Sequence, residues 1–410
     1  MKKPFYKRVI KFLNRILEYT IFLPITISTK LTKQKINKRN VYKFILNNVD
    51  DVKKTVIIFQ ASFFSQDGKK FYSGGAERYC LDLANIIKSL GYEPLLIQSS
   101  LSGFWMQNKN GLKVLGIDNF KYFTSHKMFK NKKEKPAFTI FSSMDFLSQK
   151  NFENSIVISH GFTRDNKTVS LGKYLHLRNI LKYNKNMVSV DTNTISFFRC
   201  LFANIAKHKN FYYIPNYVDT NIFKPNERND DKIKILFPRR LCEYRGYWLC
   251  SEIMDDIMQL NENIEFDFVG FIYNDEIKNN LESLQNKYKD RIHHYLLEPE
   301  QMSELYKNYD ISLIPTLYSE GTSLSCLEAQ ASGNVVIATN IGGLPNLIIN
   351  NYNGILINPN KQELFEAIKN VVENKEFREK LSKNALIVSQ EFNKEKWEKA
   401  WIDILNRLIK

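Results

Sequence analysis

One pattern is written twice in this chain, and it limits the possible folds more than any other feature. Short apolar runs of strand length alternate with stretches whose apolar residues recur at helical spacing. In the first copy, residues 55–59 read as a strand and residues 75–90 as a helix, with Ala76, Tyr79, Leu83, Ile87 and Leu90 on one face and Gly91 ending it. Further strands fall at 94–98, 138–141, 156–159, 187–190 and 212–214. The second copy places strands at 233–237, 266–269, 292–296, 311–315, 335–338 and 354–357. Such alternation implies parallel sheets, because a helix must carry the chain back before the next strand can pair in the same direction. The polar run 226–232, after Lys224-Pro225, separates the copies and reads as a linker.

The expected architecture is therefore α/β, with two parallel-sheet domains facing a central cleft. With 410 residues the chain is long enough for both. Its expected divisions are a basic N-terminal extension (1–45), a first domain (46–222), a second domain (223–390) and a C-terminal helix (391–410) that packs back toward the first domain.

Open α/β sheets bind ligands past the carboxyl ends of their strands, so chemistry is expected in the segments that follow them. Residues 318–333 read YSEGTSLSCLEAQASG, just after the strand 311–315. Glu320 lies in the turn-rich part. Glu328 lies on the short helix that follows, which stops at Gly333 and offers N–H groups to an anion at its start. Ser325-x-x-Glu328 also fits a capping box, in which Glu328 only ties off the helix.

Past the strand 233–237 the sequence is PRRLCEYRGYW. Arg240 and Arg245 are placed there to hold a diphosphate, since each guanidinium is a planar fork of donors matched to phosphate oxygens. Strand alternation points Arg239 the other way, and a surface basic cluster would explain the same residues. Gly74-Gly75 opens the helix 75–90 and lets backbone N–H groups approach a phosphate or sugar. It lacks the GxGxxG pattern, so neither NAD nor FAD is implied. His160, in Ile-Ser-His-Gly after the strand 156–159, projects into the cleft, where it can bond a sugar hydroxyl or exchange a proton. His293-His294 read as alternate faces of a strand. No Asp-x-Asp pair stands in a strand-end loop, so no metal is implied.

The formal net charge of +16 admits nucleic acid, an anionic membrane or anionic substrates. No RNA- or DNA-binding motif accompanies it and the aromatics form no stacking platform, which argues against nucleic acid. Residues 1–40 hold eleven Lys/Arg against one acid, Glu18, so the excess is concentrated there. Over 5–19, Tyr6, Val9, Ile10, Leu13, Ile16 and Leu17 recur at helical spacing with basic residues opposite. The apolar stretch 16–27 is broken by Glu18 and Pro24 and is short of the ~20 residues a bilayer span needs. Such a helix suits an anionic membrane interface, and it equally suits packing on its own domain. The basic, aromatic stretch 104–135 reads as a loop region, either membrane-facing or solvated. Five cysteines without CxxC spacing suggest free thiols in a reducing, cytoplasmic compartment.

Together these pieces resemble a family, the GT-B fold glycosyltransferases of family 4, a retaining group that uses nucleotide-sugar donors. The resemblance rests on Gly74-Gly75-Ala76-Glu77, on Ser159-His160-Gly161, and on Ile214-Pro215-Asn216-Tyr217-Val218-Asp219-Thr220 with Phe223-Lys224-Pro225. It continues through Arg240-Leu241, Arg245-Gly246, the Glu320 to Glu328 pair, Asn340-Ile341-Gly342-Gly343-Leu344-Pro345 and Asn353-Gly354, over roughly residues 55–405. It implies two Rossmann-like domains, the first on the acceptor side and the second holding the donor.

By position, Arg240 and Arg245 would neutralise the donor diphosphate, Glu328 would accept from the ribose hydroxyls and Glu320 would contact the donor sugar. N–H groups near Ser323 and Leu324 would touch the phosphate, His160 would line the reacting face, and Gly74 and Gly75 would close over the donor. No cofactor is implied, because the nucleoside-diphosphate sugar is a substrate. The implied partners are that donor, a glycan or lipid-linked acceptor and an anionic membrane surface, in bacterial surface polysaccharide synthesis at the inner face of the cell membrane. A catalytically silent nucleotide-sugar-binding scaffold would carry the same binding residues. Three positions depart from the family pattern: Arg245 stands where Lys is usual, Arg239 where Gly is usual, and Tyr217 where Gly is common.

Overall fold

A computed structural model describes residues 38–118, 129, 134–144, 154–161, 170–226 and 232–409. The amphipathic segment 5–19, most of the linker 226–232 and part of the stretch 104–135 lie outside the described residues.

The first domain contains β1 (Thr55–Phe59), β2 (Glu93–Ser100), β3 (Trp105–Lys109), β4 (Leu112–Asp118), β5 (Phe138–Phe141), β6 (Ser155–Ser159), β7 (Asn186–Ser189) and β8 (Asn210–Tyr213). They form a sheet in the order β3-β4-β2-β1-β5-β6-β7-β8. Every pairing is parallel except β3 with β4.

That antiparallel edge corrects the expectation of a loop over 104–135. Asn110 and Gly111, with φ of 52° and 76°, make the tight turn between β3 and β4, and Asn-Gly is a strong hairpin signal. The outer strand looks polar because it is an edge: Met106, Gln107 and Asn108 are exposed. Trp105 anchors it, its Nε1 donating to the Gln66 carbonyl at 3.1 Å.

The second domain contains β9 (Ile233–Phe237), β10 (Ile264–Val269), β11 (Ile292–Tyr295), β12 (Ile311–Ile314), β13 (Val335–Thr339) and β14 (Ile355–Ile357). Their order is β11-β10-β9-β12-β13-β14, parallel throughout. Alternate residues of each strand point to opposite faces, and helices cover both. Ile235, Phe237, Leu313 and Ile337 enter one core, while Leu236, Ile314, Val336 and Ala338 enter another with Leu327 and Ala329. Two-sided burial explains why the inner strands β12 and β13 read as near-continuous apolar runs.

In each sheet one strand marks where the chain reverses its direction of winding. β1 lies between β2 and β5, and β9 between β10 and β12. A crevice opens past the carboxyl ends of such a pair.

Near its end the chain returns to the first domain. Val218 N donates to the Phe392 carbonyl at 2.9 Å, so the two crossings run side by side. The helix Lys394–Leu408 then buries Trp397 and Trp401 in the first domain's core. Trp401 Nε1 donates to the Tyr79 hydroxyl at 2.9 Å. Among the described residues no helix is long and apolar enough to cross a membrane.

Candidate active site

The crevice between β9 and β12 gathers charge. β9 ends at Phe237, and Pro238 follows it. Strand alternation does not extend past that point, and the two arginines behave oppositely to the alternation rule. Arg239 turns inward, its side chain 7% exposed. It donates to Thr316 Oγ1 at 2.8 Å and to Glu320 Oε2 at 2.5 Å. Arg240 is exposed, its guanidinium 5.7 Å from the centre of the Tyr244 ring.

Arg245 reaches the same carboxylate by way of a tight turn. The single 3₁₀ turn Glu243–Arg245 ends at Gly246, at φ 85°. A Cβ there would lie 2.0 Å from the Pro315 carbonyl oxygen, so only glycine allows the turn to sit against the end of β12. Arg245 then donates to Glu320 Oε2, and Thr316 Oγ1 donates to the same oxygen at 3.0 Å. Thr316 is itself held, because its carbonyl accepts from Thr339 Oγ1 at 2.5 Å.

Two guanidiniums thus share one buried carboxylate, and the crevice carries excess positive charge. Burial alone would push the Glu320 carboxyl up, but Arg239 and Arg245 outweigh it and hold it below its ordinary value. Arg239 is pulled the other way. Burial and the neighbouring Arg245 lower its pKa, and Glu320 offsets only part of this.

Glu328 has a different setting. Its helix, Leu324–Ala331, is capped by Ser323, whose Oγ accepts from Cys326 N. Ser325 Oγ instead donates to the Pro238 carbonyl at 3.2 Å. The capping box from Ser325 to Glu328 therefore does not form: the helix begins before Ser325, which leaves Glu328 too far along to reach the cap. Its Oε1 accepts from Arg78 of the first domain at 2.7 Å.

The first domain meets this surface with the ends of β6 and β7 and the start of the helix Gly75–Ser89. Gly74 precedes that helix, and Gly75 packs on Leu324 so closely that a Cβ would lie 2.6 Å from Leu324 Cδ1. The His160 ring stands edge-on to Tyr79 with centroids 5.0 Å apart. Thr322 Oγ1 donates to the Val190 carbonyl at 2.9 Å and accepts from Asn216 N at 2.8 Å. Asn346 and Thr192 exchange two further bonds across the junction, at 2.9 and 2.7 Å. Behind them, the Tyr217 hydroxyl donates to Asp82, which also accepts from Lys394 at 2.8 Å.

The structure thus brings Arg240, Arg245, Glu320, Ser323, Leu324 and Glu328 to one end of the second sheet. It sets Gly74, Gly75 and His160 opposite them on the first domain. Sequence reasoning missed three members. Alternation extended through Pro238 puts Arg239 on the wrong side. Thr316 carried no signal beyond its place at a strand end. Arg78 stands one turn into the helix that Gly75 begins, with a partner 250 residues away.

Comparison with known proteins fits this geometry. Residues 218–387 match the family model described as Glycosyl transferases group 1. The N,N'-diacetylbacillosaminyl-diphospho-undecaprenol alpha-1,3-N-acetylgalactosaminyltransferase of Campylobacter jejuni is 27% identical over 202 residues, 48% of this chain and 52% of that protein. The chain spans about half the length of the curated relatives it matches. Sucrose-phosphate synthase from Thermosynechococcus elongatus superposes with a TM-score of 0.68 at 17% identity, over 86% of this chain and 98% of that one. Anabaena HepE, solved with UDP-glucose, superposes with a TM-score of 0.63 at 14% identity, over 86% and 99%. These likenesses establish the fold: two parallel-sheet α/β domains in the GT-B arrangement.

Proposed function

We propose that the protein is a retaining, metal-independent glycosyltransferase of family 4. It moves a sugar from a nucleoside-diphosphate sugar to a glycan or lipid-linked acceptor in bacterial surface polysaccharide synthesis. The observation that carries this reading is Glu320, held between Arg239 and Arg245 at the reversal point of the second sheet. Support comes from the group 1 match over the second domain, from the lipid-linked acceptor in the Campylobacter relative's name, and from the UDP-glucose bound by HepE.

In this reading the bond between the anomeric carbon and the diphosphate oxygen breaks, and the acceptor oxygen takes its place. The nucleoside diphosphate leaves with the bonding electrons and takes up the proton that the acceptor hydroxyl gives up. Arg240 and Arg245 stabilise the charge gathering on the leaving group. The N–H groups at Ser323 and Leu324 add to that stabilisation, as fixed donors aimed at developing charge do. Glu320 orients the donor sugar and Glu328 accepts from the ribose. His160 lines the reacting face, with Gly74 and Gly75 beside the donor.

The test is release of nucleoside diphosphate across a panel of sugar donors. Arg240→Ala and Glu320→Gln should each lower turnover by about 10²–10³-fold, the range for losing one preorganised contact. Undiminished turnover in both variants overturns the assignment of this crevice. Donor binding without any turnover in the wild type favours a silent scaffold instead.

The basic segment 1–40 supports peripheral attachment to the inner face of the cell membrane. Deleting residues 1–30 should lower sedimentation with anionic vesicles, and unchanged sedimentation removes that role.

A further inference from the structure

Glu328 is a buried carboxylate whose partner belongs to the other domain. Arg78 bonds only one of its oxygens, Oε1, at 2.7 Å. Oε2 accepts no hydrogen bond from any described residue. Arg78 is itself set on a well-anchored helix. Gly75, at the helix start, touches Leu324 of the second domain. Asp82, one turn beyond Arg78, accepts from Tyr217 at the junction and from Lys394 of the returning chain. Tyr79, between them, packs on His160, Trp397 and Trp401.

A carboxylate held at one oxygen by a fixed guanidinium has its second oxygen aimed. A buried carboxylate that loses its only ion partner is strongly disfavoured, so this aim exists only while the domains are engaged. We propose that Arg78 is a positioning residue for nucleotide binding: it grips Glu328 Oε1 across the domain junction so that Oε2 receives the ribose hydroxyls of a nucleoside diphosphate. This rests on the reading of Glu328 given above, and it adds that the ribose contact is completed by the acceptor-side domain. Donor binding and domain engagement are then one event, because both draw on the same carboxylate.

The experiment uses the full chain as wild type, Arg78→Lys, Arg78→Met, Glu328→Gln and the double variant Arg78→Met/Glu328→Gln. Each is titrated with UDP, GDP and ADP, then with the 2′,3′-dideoxy form of whichever binds most tightly. The wild type should prefer the ribose form by about tenfold or more, the scale of a hydrogen bond to a charged group. Arg78→Met should shrink that preference to the value found for Glu328→Gln. The double variant should lose nothing further, and Arg78→Lys should regain part of the preference. The lysine variant carries the test if the methionine variant does not fold, since a wild-type preference in Arg78→Lys with a longer, weaker grip is also contrary to expectation. Full preference in Arg78→Met overturns the role of Arg78 and leaves that of Glu328 standing. No preference in the wild type, or no binding of any of the three, removes the ribose reading and this inference with it.

Discussion

Glu320 and Glu328 belong to one short segment, yet their surroundings answer to different parts of the molecule. Glu320 takes its partners among the described residues from the second domain, with Arg239, Arg245 and Thr316 all donating to Oε2. Glu328 takes its cation from the first domain. Glu320 is therefore set as soon as the second sheet folds. Glu328 is set only when the two sheets face each other. Two carboxylates on one loop and helix can thus hold a fixed element and a conditional one side by side, which suits a site that must admit a ligand and then enclose it.

The widest separation between the two should appear in stability. Glu320→Ala leaves two largely buried guanidiniums without their counter-charge and should cost on the order of 3–5 kcal/mol, the scale for removing one partner of a buried ion pair. Glu328→Ala releases Arg78, whose side chain is 38% exposed and can rehydrate, so its cost should stay near ~1 kcal/mol. Denaturant unfolding of both variants measures the difference, and equal losses would erase the contrast.

Acid titration sharpens the same comparison. The folded-state pKa of Glu320 is held below its ordinary value by Arg239 and Arg245 against the effect of burial. Its contribution is therefore fully present above the unfolded carboxylate value of about 4.3 and is lost as pH falls through the lower folded value. The unfolding free energy of wild type minus that of Glu320→Gln should be level from neutral pH down to about 5 and decline below it. A difference that stays constant to pH 3 would mean the arginines do not hold the carboxyl down.

The smallest effect tests the junction itself. Asn346→Ala removes the two bonds to Thr192, which are exposed, and should change stability by no more than about 0.5 kcal/mol. A loss as large as that of Glu320→Ala would show that engagement of the domains rests on this edge and not on the Arg78–Glu328 bond.

Much of this was legible along the chain. All the strands expected from the apolar runs are present, and the inner ones, buried on both faces of parallel sheets, leave the clearest signature in each local window. The placement of Glu320, Arg245 and His160 past strand ends followed from the same pattern. The β3–β4 hairpin was missed although Asn110-Gly111 announced it, since the polar edge strand resembled loop. Arg239 was misplaced because alternation applies only while the backbone stays extended, and Pro238 ends β9's ladder.

What the sequence determined by itself is therefore whatever depends on neighbours a few residues away: period, caps, turns and the order of elements. These specify two α/β domains and the order of the strands that the apolar runs mark. The tertiary structure alone decided which of two adjacent arginines turns inward and which cation meets Glu328. Those choices depend on Thr316 and Gly246 against Arg239 and Arg245, and on Arg78 against Glu328 across 250 residues. No local propensity encodes them, because the energy of a buried charge is set by the groups that packing brings to it.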